Sequence, residues 1–326
     1  MGEFDLIARY FKRPARRAAL GVGDDCALLQ PTPGTQLAIS SDMLVQGRHF
    51  FADVDPHALG HKALAVNLSD LAACGARPLA FTLALALPEA DDAWLAPFSQ
   101  GLLALADAHG CELIGGDTTA GPLNICITVF GEVPTGTALL RSGARAGDEI
   151  YVSGTLGDAR LALEALQGRL SLPAPVLATA RQRLERPTPR VALGQALRGL
   201  ASAAIDLSDG LLGDLGHILD ASGVGATVNA DRVLQTVAAR QATTGGLILD
   251  AEQWRLLVLS GGDDYELLFC APPDQREAVA AAARISQTPV QRIGCIEAAA
   301  GLRVTDDQGQ LLTERYASFD HFATTP

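Results

Sequence analysis

Residues 79–87 read Leu-Ala-Phe-Thr-Leu-Ala-Leu-Ala-Leu, so every large side chain of an extended segment falls on one face and every small one on the other. That period of two belongs to a β-strand and outweighs the helical preference of the leucines. Flanking stretches carry the other period. Asp55-Pro56 supplies an N-cap and an N1 proline for a helix stopping at Gly75, and residues 91–109 place Trp94, Leu95, Phe98, Leu102 and Leu105 at helical spacing before Gly110. Residues 37–40 and 123–133 alternate as strands, while Phe4, Ile7, Ala8 and Phe11 mark a short amphipathic helix ahead of a basic loop, Arg13 to Arg17. Strand and helix signals interleaved in this way predict mixed α/β layers, with the small face of strand 79–87 packed closely against another surface.

From residue 134 to 147 the chain turns to Gly, Thr, Arg and Ala without periodicity, which places a domain boundary near residue 145. Beyond it, strands are expected at 149–152, 226–228, 266–270 and 302–305, and helices at 158–166, 176–184, 191–200 and 211–221, so the second half is α/β too. Two domains, 1–145 and 146–326, suit 326 residues at roughly 100–200 residues per domain. Leu-Ser-Asp and Gly-Gly-Asp occur once in each half, at 68–70 and 115–117 and at 207–209 and 261–263; matches this short are coincidences of turn residues.

Hydrophobic residues make up 48% and charged residues 19%, which excludes a disordered chain. The longest apolar run, 79–87, is far short of the roughly 18 residues that cross a bilayer. The N-terminus shows no secretion signal, and Leu6 stands where myristoylation would want Ser or Thr, so a cytoplasmic protein is expected. Six cysteines without a Cys-x-x-Cys pair suggest neither a zinc ribbon nor a disulfide framework. A net charge of −12, with lysine only at 12 and 62, argues against nucleic acid or a membrane surface as partner. A phosphate ligand would then have to be drawn in by metal ions or a local arginine.

The informative feature is where the carboxylates fall: Gly23-Asp24-Asp25, Ser40-Ser41-Asp42, Asn67-Leu-Ser-Asp70, Gly116-Asp117-Thr118, Asp206-Leu-Ser-Asp209-Gly and Gly262-Asp263-Asp264. In α/β folds ligands collect at strand ends, and carboxylates mixed with hydroxyls are the donor set of hard cations such as Mg²⁺. Taken singly, each segment reads as a turn or a cap. Asp70 differs, because it lies deep in the helix from Pro56, on a face shared with Ala63, Val66, Asn67 and Cys74. A carboxylate buried there needs a cation, either a metal or an arginine. No P-loop, nucleophile elbow or His metal pair is present, and Gly154-Thr-Leu-Gly157 is a phosphate-cradle candidate that reads more simply as a plain β-α turn.

Gly21-Val-Gly-Asp-Asp25-Cys-Ala, Ala38-Ile-Ser-Ser-Asp42, His49-Phe, Lys62-Ala-Leu-Ala-Val-Asn-Leu-Ser-Asp70, Ile114-Gly-Gly-Asp117-Thr-Thr, Arg141-Ser-Gly, Ala204-Ile-Asp206-Leu-Ser-Asp209-Gly and Ser260-Gly-Gly-Asp-Asp-Tyr-Glu266 follow one another in this order. Together they resemble the thiamine-monophosphate kinase family of the aminoimidazole-ribonucleotide (AIR)-synthetase-like superfamily, over nearly the whole chain. The resemblance implies a homodimer of two-domain α/β subunits. Its first domains would pair and carry the Mg-ATP site, and its second domains would complete the ATP and substrate sites. The implied reaction transfers the ATP γ-phosphoryl group to thiamine monophosphate, the last step towards thiamine diphosphate. Several Mg²⁺ ions would take the place of a P-loop lysine. Carried over by position, Asp25, Ser40, Ser41, Asp42, Asp70, Asp117, Asp206 and Asp209 match Mg²⁺ ligands; Gly116, Asp117, Arg141 and Ser208 match ATP contacts; His49, Asp263 and Phe319 match substrate positions. Ser41 and Asp263 depart from the family's usual Thr and Glu. The competing readings are a synthetase that activates an amide or carboxylate, and a binding protein without turnover.

Overall fold

The computed structural model describes residues 2–237, 249–314 and 316. They divide into two compact units, one of the described residues up to Leu71 with Ala76–Ala138, the other of Ala72–Gly75 with the described residues from Leu139 on.

The first unit contains α1 (Glu3–Tyr10), β1 (Thr35–Val45), α2 (Pro56–Ala73), β2 (Arg77–Leu87), α3 (Asp92–His109), β3 (Glu112–Ala120) and β4 (Asn124–Pro134). The sheet order is β1-β4-β2-β3, with β2 and β3 the parallel pair. The local signals act as expected at the helix ends. Asp55 accepts from His57 N at 3.2 Å at the start of α2, Asp91 accepts from Ala93 N at 2.9 Å at the start of α3, and Gly75 and Gly110 leave each helix in the left-handed region. In α1 the burial differs from the expected face: Leu6 and Phe11 are buried and Phe4 stands 82% exposed.

The large face of β2, with Phe81, Leu83, Leu85 and Leu87, packs with Ile125, Ile127 and Val129 of β4 into the core. Its small face behaves otherwise than the sequence predicts. Ala80 is buried, beyond a register shift after Pro78, and packs with Ala18 and Ile114. Ala84 is exposed, and on β1 Leu37, Ile39 and Met43, alternate residues of one strand face, are exposed as well. This face of the sheet is open within the unit.

The second unit contains β5 (Glu149–Ser153), α4 (Asp158–Leu166), α5 (Ala174–Glu185), α6 (Val191–Ala196), β6 (Ala203–Asp206), α7 (Leu211–Ser222), β7 (Gly225–Asn229), α8 (Ala230–Leu234), α9 (Ala251–Ser260), β8 (Leu267–Ala271), α10 (Arg276–Ile285), β9 (Val290–Glu297) and β10 (Gly301–Thr305). Its sheet runs β10-β7-β9-β5-β8-β6 and is antiparallel except for β10 with β7. Ile150, Val152, Ile205, Leu215, Ile218 and Leu268 belong to its core. Three strands escape the periodicity argument. β3 is interrupted by Gly115-Gly116, β6 has four residues, and β9 carries Gln291 and Arg292 in its first half.

Arg292 answers a charge on the neighbouring strand. Glu149 on β5 is buried and accepts hydrogen bonds from Arg276, Arg292 and the Tyr151 hydroxyl. The Arg276 hydrogen bond leads; burial opposes it, and Tyr151 and Arg292 complete the pull that takes the carboxyl from 4.5 down to about 2. The folded state therefore releases this proton more readily than the unfolded one, so the stabilisation is present above about pH 4.5 and is lost as pH falls towards 2. Glu149→Gln is expected to lower stability at neutral pH and to flatten its decline across that acid window. Urea unfolding at stepped pH checks both.

Candidate functional site

Two residue spacings build the site of the first unit. Ser40 and Asp42, two apart on β1, share a strand face; Asn67 and Asp70, three apart on α2, share a helix face. The two faces meet: the Ser40 hydroxyl donates to the Asp70 carboxylate, and Asp42 N–H donates to Asn67 Oδ1 at 3.1 Å. The Asn67 amide in turn donates to Ala63 O at 3.0 Å, which fixes its orientation. Asp70 is half-buried rather than deep, and it has a hydroxyl donor. It also stands in the last turn of α2, where the helix dipole disfavours a negative charge and favours a cation. Two carboxylates, a hydroxyl and an amide oxygen are thus gathered on one surface.

Other predicted ligands stand apart. Ser41 lies on the opposite face of β1, its hydroxyl donating to Ile127 O at 3.1 Å and 3.0 Å from Thr128 Oγ1. Asp117 is on β3, the far edge of the sheet from β1, three strand spacings or about 14 Å along it. Gly116 before it has φ +146°, and a Cβ there would come within 1.9 Å of Leu83 O, so only glycine allows β3 to close on β2. Asp25 sits in an exposed turn, its N–H donating to Asp24 at 2.8 Å. His49 closes the turn after β1, its Nδ1 accepting from Val45 N at 3.0 Å, which leaves the proton of a neutral ring on Nε2. Among the described residues no group of three or more His, Cys, Asp and Glu side chains is gathered closely enough to hold an ion by itself.

In the second unit Asp206 ends β6, buried, and Ser208 and Asp209 follow in the loop before α7. That loop is laced to residues 263–266: Asp263 N donates to Ser208 O at 2.9 Å, Tyr265 N to Leu207 O at 2.8 Å, and Leu207 N to Glu266 O at 2.9 Å. The lacing brings Asp206, Ser208, Asp209 and Asp263 into one neighbourhood. Asp263 and Tyr265 have φ of 66° and 51°, a region that non-glycine residues hold only where their surroundings demand it. Arg141 is exposed, and its carbonyl accepts from Ser222 Oγ at 3.3 Å. Phe319 lies outside the described residues.

Three positioning groups receive no role from the sequence, although Asn67 and Glu266 lie within its motifs. Asn67 is the first. Asp214 is the second: buried on α7, it accepts from Asp209 N at 3.2 Å and Gly210 N at 3.1 Å and so shapes the loop. Burial, and then the charge of Asp209, push its carboxyl up to about 6. The third is Glu266, fully buried. It accepts from Ser153 Oγ, Arg183 Nη2, Arg190 Nε and Arg190 Nη2, each at 2.6 Å. A Cβ on Gly154 would meet this carboxylate at 2.1 Å, so Gly154 is there to admit it. The remaining glycine of the candidate cradle, Gly157, already gives its N–H to the buried Asp264 carboxylate at 3.0 Å. The turn is thus a structural β-α connection whose donor is committed.

Residues 23–133 match the N-terminal domain of AIR synthase related protein and residues 145–307 its C-terminal domain. The thiamine-monophosphate kinase of Salmonella typhimurium is 50% identical over 329 residues, covering 99% of each chain. The crystal structure of thiamine-monophosphate kinase from Stenotrophomonas maltophilia K279a is similar at 47% identity and TM-score 0.82, covering 92% of this chain and 94% of that one. AaThiL, in a structure complexed with AMPPCP and TMP, is 28% identical with TM-score 0.74, covering 90% and 89%.

Proposed function

We infer from its membership of the thiamine-monophosphate kinases, the AIR synthase related family to which this chain belongs, that it transfers the γ-phosphoryl group of ATP to thiamine monophosphate. The product is thiamine diphosphate. The observation that carries this activity is a relative 50% identical along 99% of both chains, supported by the similar fold that holds AMPPCP and TMP. The test is a product assay: ATP, Mg²⁺ and thiamine monophosphate should yield ADP and thiamine diphosphate in equal amounts, and ADP without the diphosphate would sink the assignment.

The acceptor is a phosphate monoester with a second pKa near 6, roughly, so it reaches the site largely ionised and asks for no strong general base. The task left to the protein is to position two polyanions. For Mg²⁺, the donor set of Ser40, Asp42 and Asp70 fits: all are hard oxygens, and the ion is ordinarily held by one or two carboxylates together with waters and substrate phosphates. Asp25, Ser41, Asp117, Asp206 and Asp209 are proposed as further ligands by position in the family. An ion held by Ser40, Asp42 and Asp70 would neutralise charge on the transferring phosphoryl group, and the ligands that stand apart would belong to further ions. Asn67 holds the backbone of Asp42, and Asp214 that of Asp209, so both carboxylates are pre-set before substrate arrives. Gly116, Arg141 and Ser208 are assigned to ATP and His49, Asp263 and Phe319 to the vitamin.

We place the dimer contact on the open face of the first unit's sheet. Leu37, Ile39 and Met43 are 43%, 59% and 53% exposed there, and Ile39 is in register with Phe130 of β4. Apolar side chains in such a row are the mark of an interface, and a second copy of the chain is the partner the family resemblance supplies. Ile39→Asp is expected to convert a dimer at micromolar concentration into a monomer by sedimentation; a parent chain that already sediments as a monomer would remove the assignment. No helix among the described residues is long and apolar enough to cross a membrane, and the six cysteines are free thiols.

A further inference from the structure

Arg183 on α5 reaches the loop that bears Asp263 from outside it. Its Nη2 donates both to Glu266 Oε1 at 2.6 Å and to the Asp264 carbonyl at 3.3 Å, so one nitrogen spans the two residues that flank Tyr265. Tyr265 is left-handed at φ 51°, as is Asp263 at φ 66°, and the Tyr265 hydroxyl reaches back to Asp263 Oδ1 at 3.4 Å. The Arg183 side chain is 16% exposed, its Nη1 donates to Thr188 Oγ1 at 3.5 Å, and its Nε has no partner among the described residues, so the short bond to Glu266 and the span to Asp264 both run through Nη2. Glu266 does not depend on it. Arg190 binds that carboxylate through two nitrogens and Ser153 through its hydroxyl, so the buried charge stays compensated if Arg183 is lost.

We propose that Arg183 is a positioning residue for thiamine monophosphate, holding Tyr265 in its left-handed form between Asp264 and Glu266 so that the Asp263 carboxylate is aimed at the substrate. The inference rests on the assignment of Asp263 to the vitamin made above. A carboxylate is a fitting partner for the cationic thiazolium ring or the pyrimidine amino group, and its usefulness depends on direction, which a chain held in an unfavoured backbone region keeps only while its clamps remain. Arg183 is one such clamp, and nothing about ATP is asked of it.

The experiment compares Arg183→Met, Arg183→Lys and Asp263→Asn in the full-length enzyme, reading KM for thiamine monophosphate, KM for ATP, kcat and the thermal midpoint. Arg183→Met keeps the aliphatic stem and removes the span, and is expected to raise the vitamin's KM at least about ten-fold with the KM for ATP within about two-fold. Arg183→Lys keeps a cation beside Glu266 but cannot serve both acceptors in the same geometry. It should raise the vitamin's KM by an intermediate factor, and it carries the test if the methionine variant fails to fold. Equal changes in both KM values, or a lysine variant indistinguishable from the parent, would overturn the proposal and leave Arg183 a packing residue. If Asp263→Asn leaves the vitamin's KM unchanged while Arg183→Met raises it, the assignment of Asp263 falls and the proposal that Arg183 acts through that carboxylate falls with it, while the product assay for the kinase activity is untouched.

Discussion

Asp70→Asn is expected to abolish phosphoryl transfer while the protein remains folded. The substitution keeps the shape of the side chain and its contact with Ser40 but removes one of the two carboxylates gathered between β1 and α2. Charge neutralisation by a bound cation is worth several kcal/mol of transition-state stabilisation, so the loss should be about a thousand-fold or more in kcat/KM. Stability should move little. Asp70 is half-buried and near the negative end of α2, so replacing its charge costs the ligand-free fold nothing comparable. Turnover close to the parent rate at saturating Mg²⁺ would show that the cation is held elsewhere. Chelation by EDTA, reversed by added Mg²⁺, is the companion measurement, and Asp42→Asn should behave like Asp70→Asn if the two act on one ion.

Glu266→Gln should have the largest effect on folding. The carboxylate is fully buried and shared by Arg183, Arg190 and Ser153, so the amide would leave two guanidinium groups without their counter-charge. Breaking a buried ion pair by removing one partner costs about 3–5 kcal/mol, a large part of the roughly 5–15 kcal/mol that holds a domain together. At about 2–4 °C per kcal/mol for a unit of this size, the thermal midpoint should drop by on the order of 10 °C. A midpoint within about 2 °C of the parent would mean that the arginines find other partners or water, and that the cluster contributes far less than its geometry suggests. Glu266→Gln and Arg183→Met should therefore part company, the first acting on the melting curve and the second on substrate affinity.

The legible portions of the fold are those where a local signal decides the outcome. The alternation in residues 79–87, the Asp55 cap, the helical spacing of residues 91–109 and the Gly75 and Gly110 terminators each act within a few residues, and α2, β2 and α3 form where they predict, with Asp91 as the cap of α3 rather than its first residue. The small face of β2 is different. Its alanines leave room for another surface to come close, yet whether that surface is a helix, a second strand or another subunit is a matter of what the rest of the chain covers, and here Ala80 is covered while Ala84 is exposed, as are Leu37, Ile39 and Met43 of β1.

By itself the sequence determined the chemistry available: an acidic chain with few lysines, carboxylates set beside glycine and serine, and an ordered set of motifs whose family is now shown. It did so because residue type and local spacing survive in the string of letters. Only the tertiary structure decided which of those carboxylates share a surface. Ser40 meets Asp70, and the backbone of Asp42 meets Asn67, because one face of α2 packs on one face of β1, whereas Asp117, just as suggestive in its motif, lies across the whole sheet, and Ser41 points away by the pleat. The partners of Asn67, Asp214 and Glu266 could not be read for the same reason. Their roles come from contacts between elements distant in sequence, such as that between Arg183 and Glu266, 83 positions apart, and a hydrogen bond across that distance is fixed by packing, which no local pattern encodes.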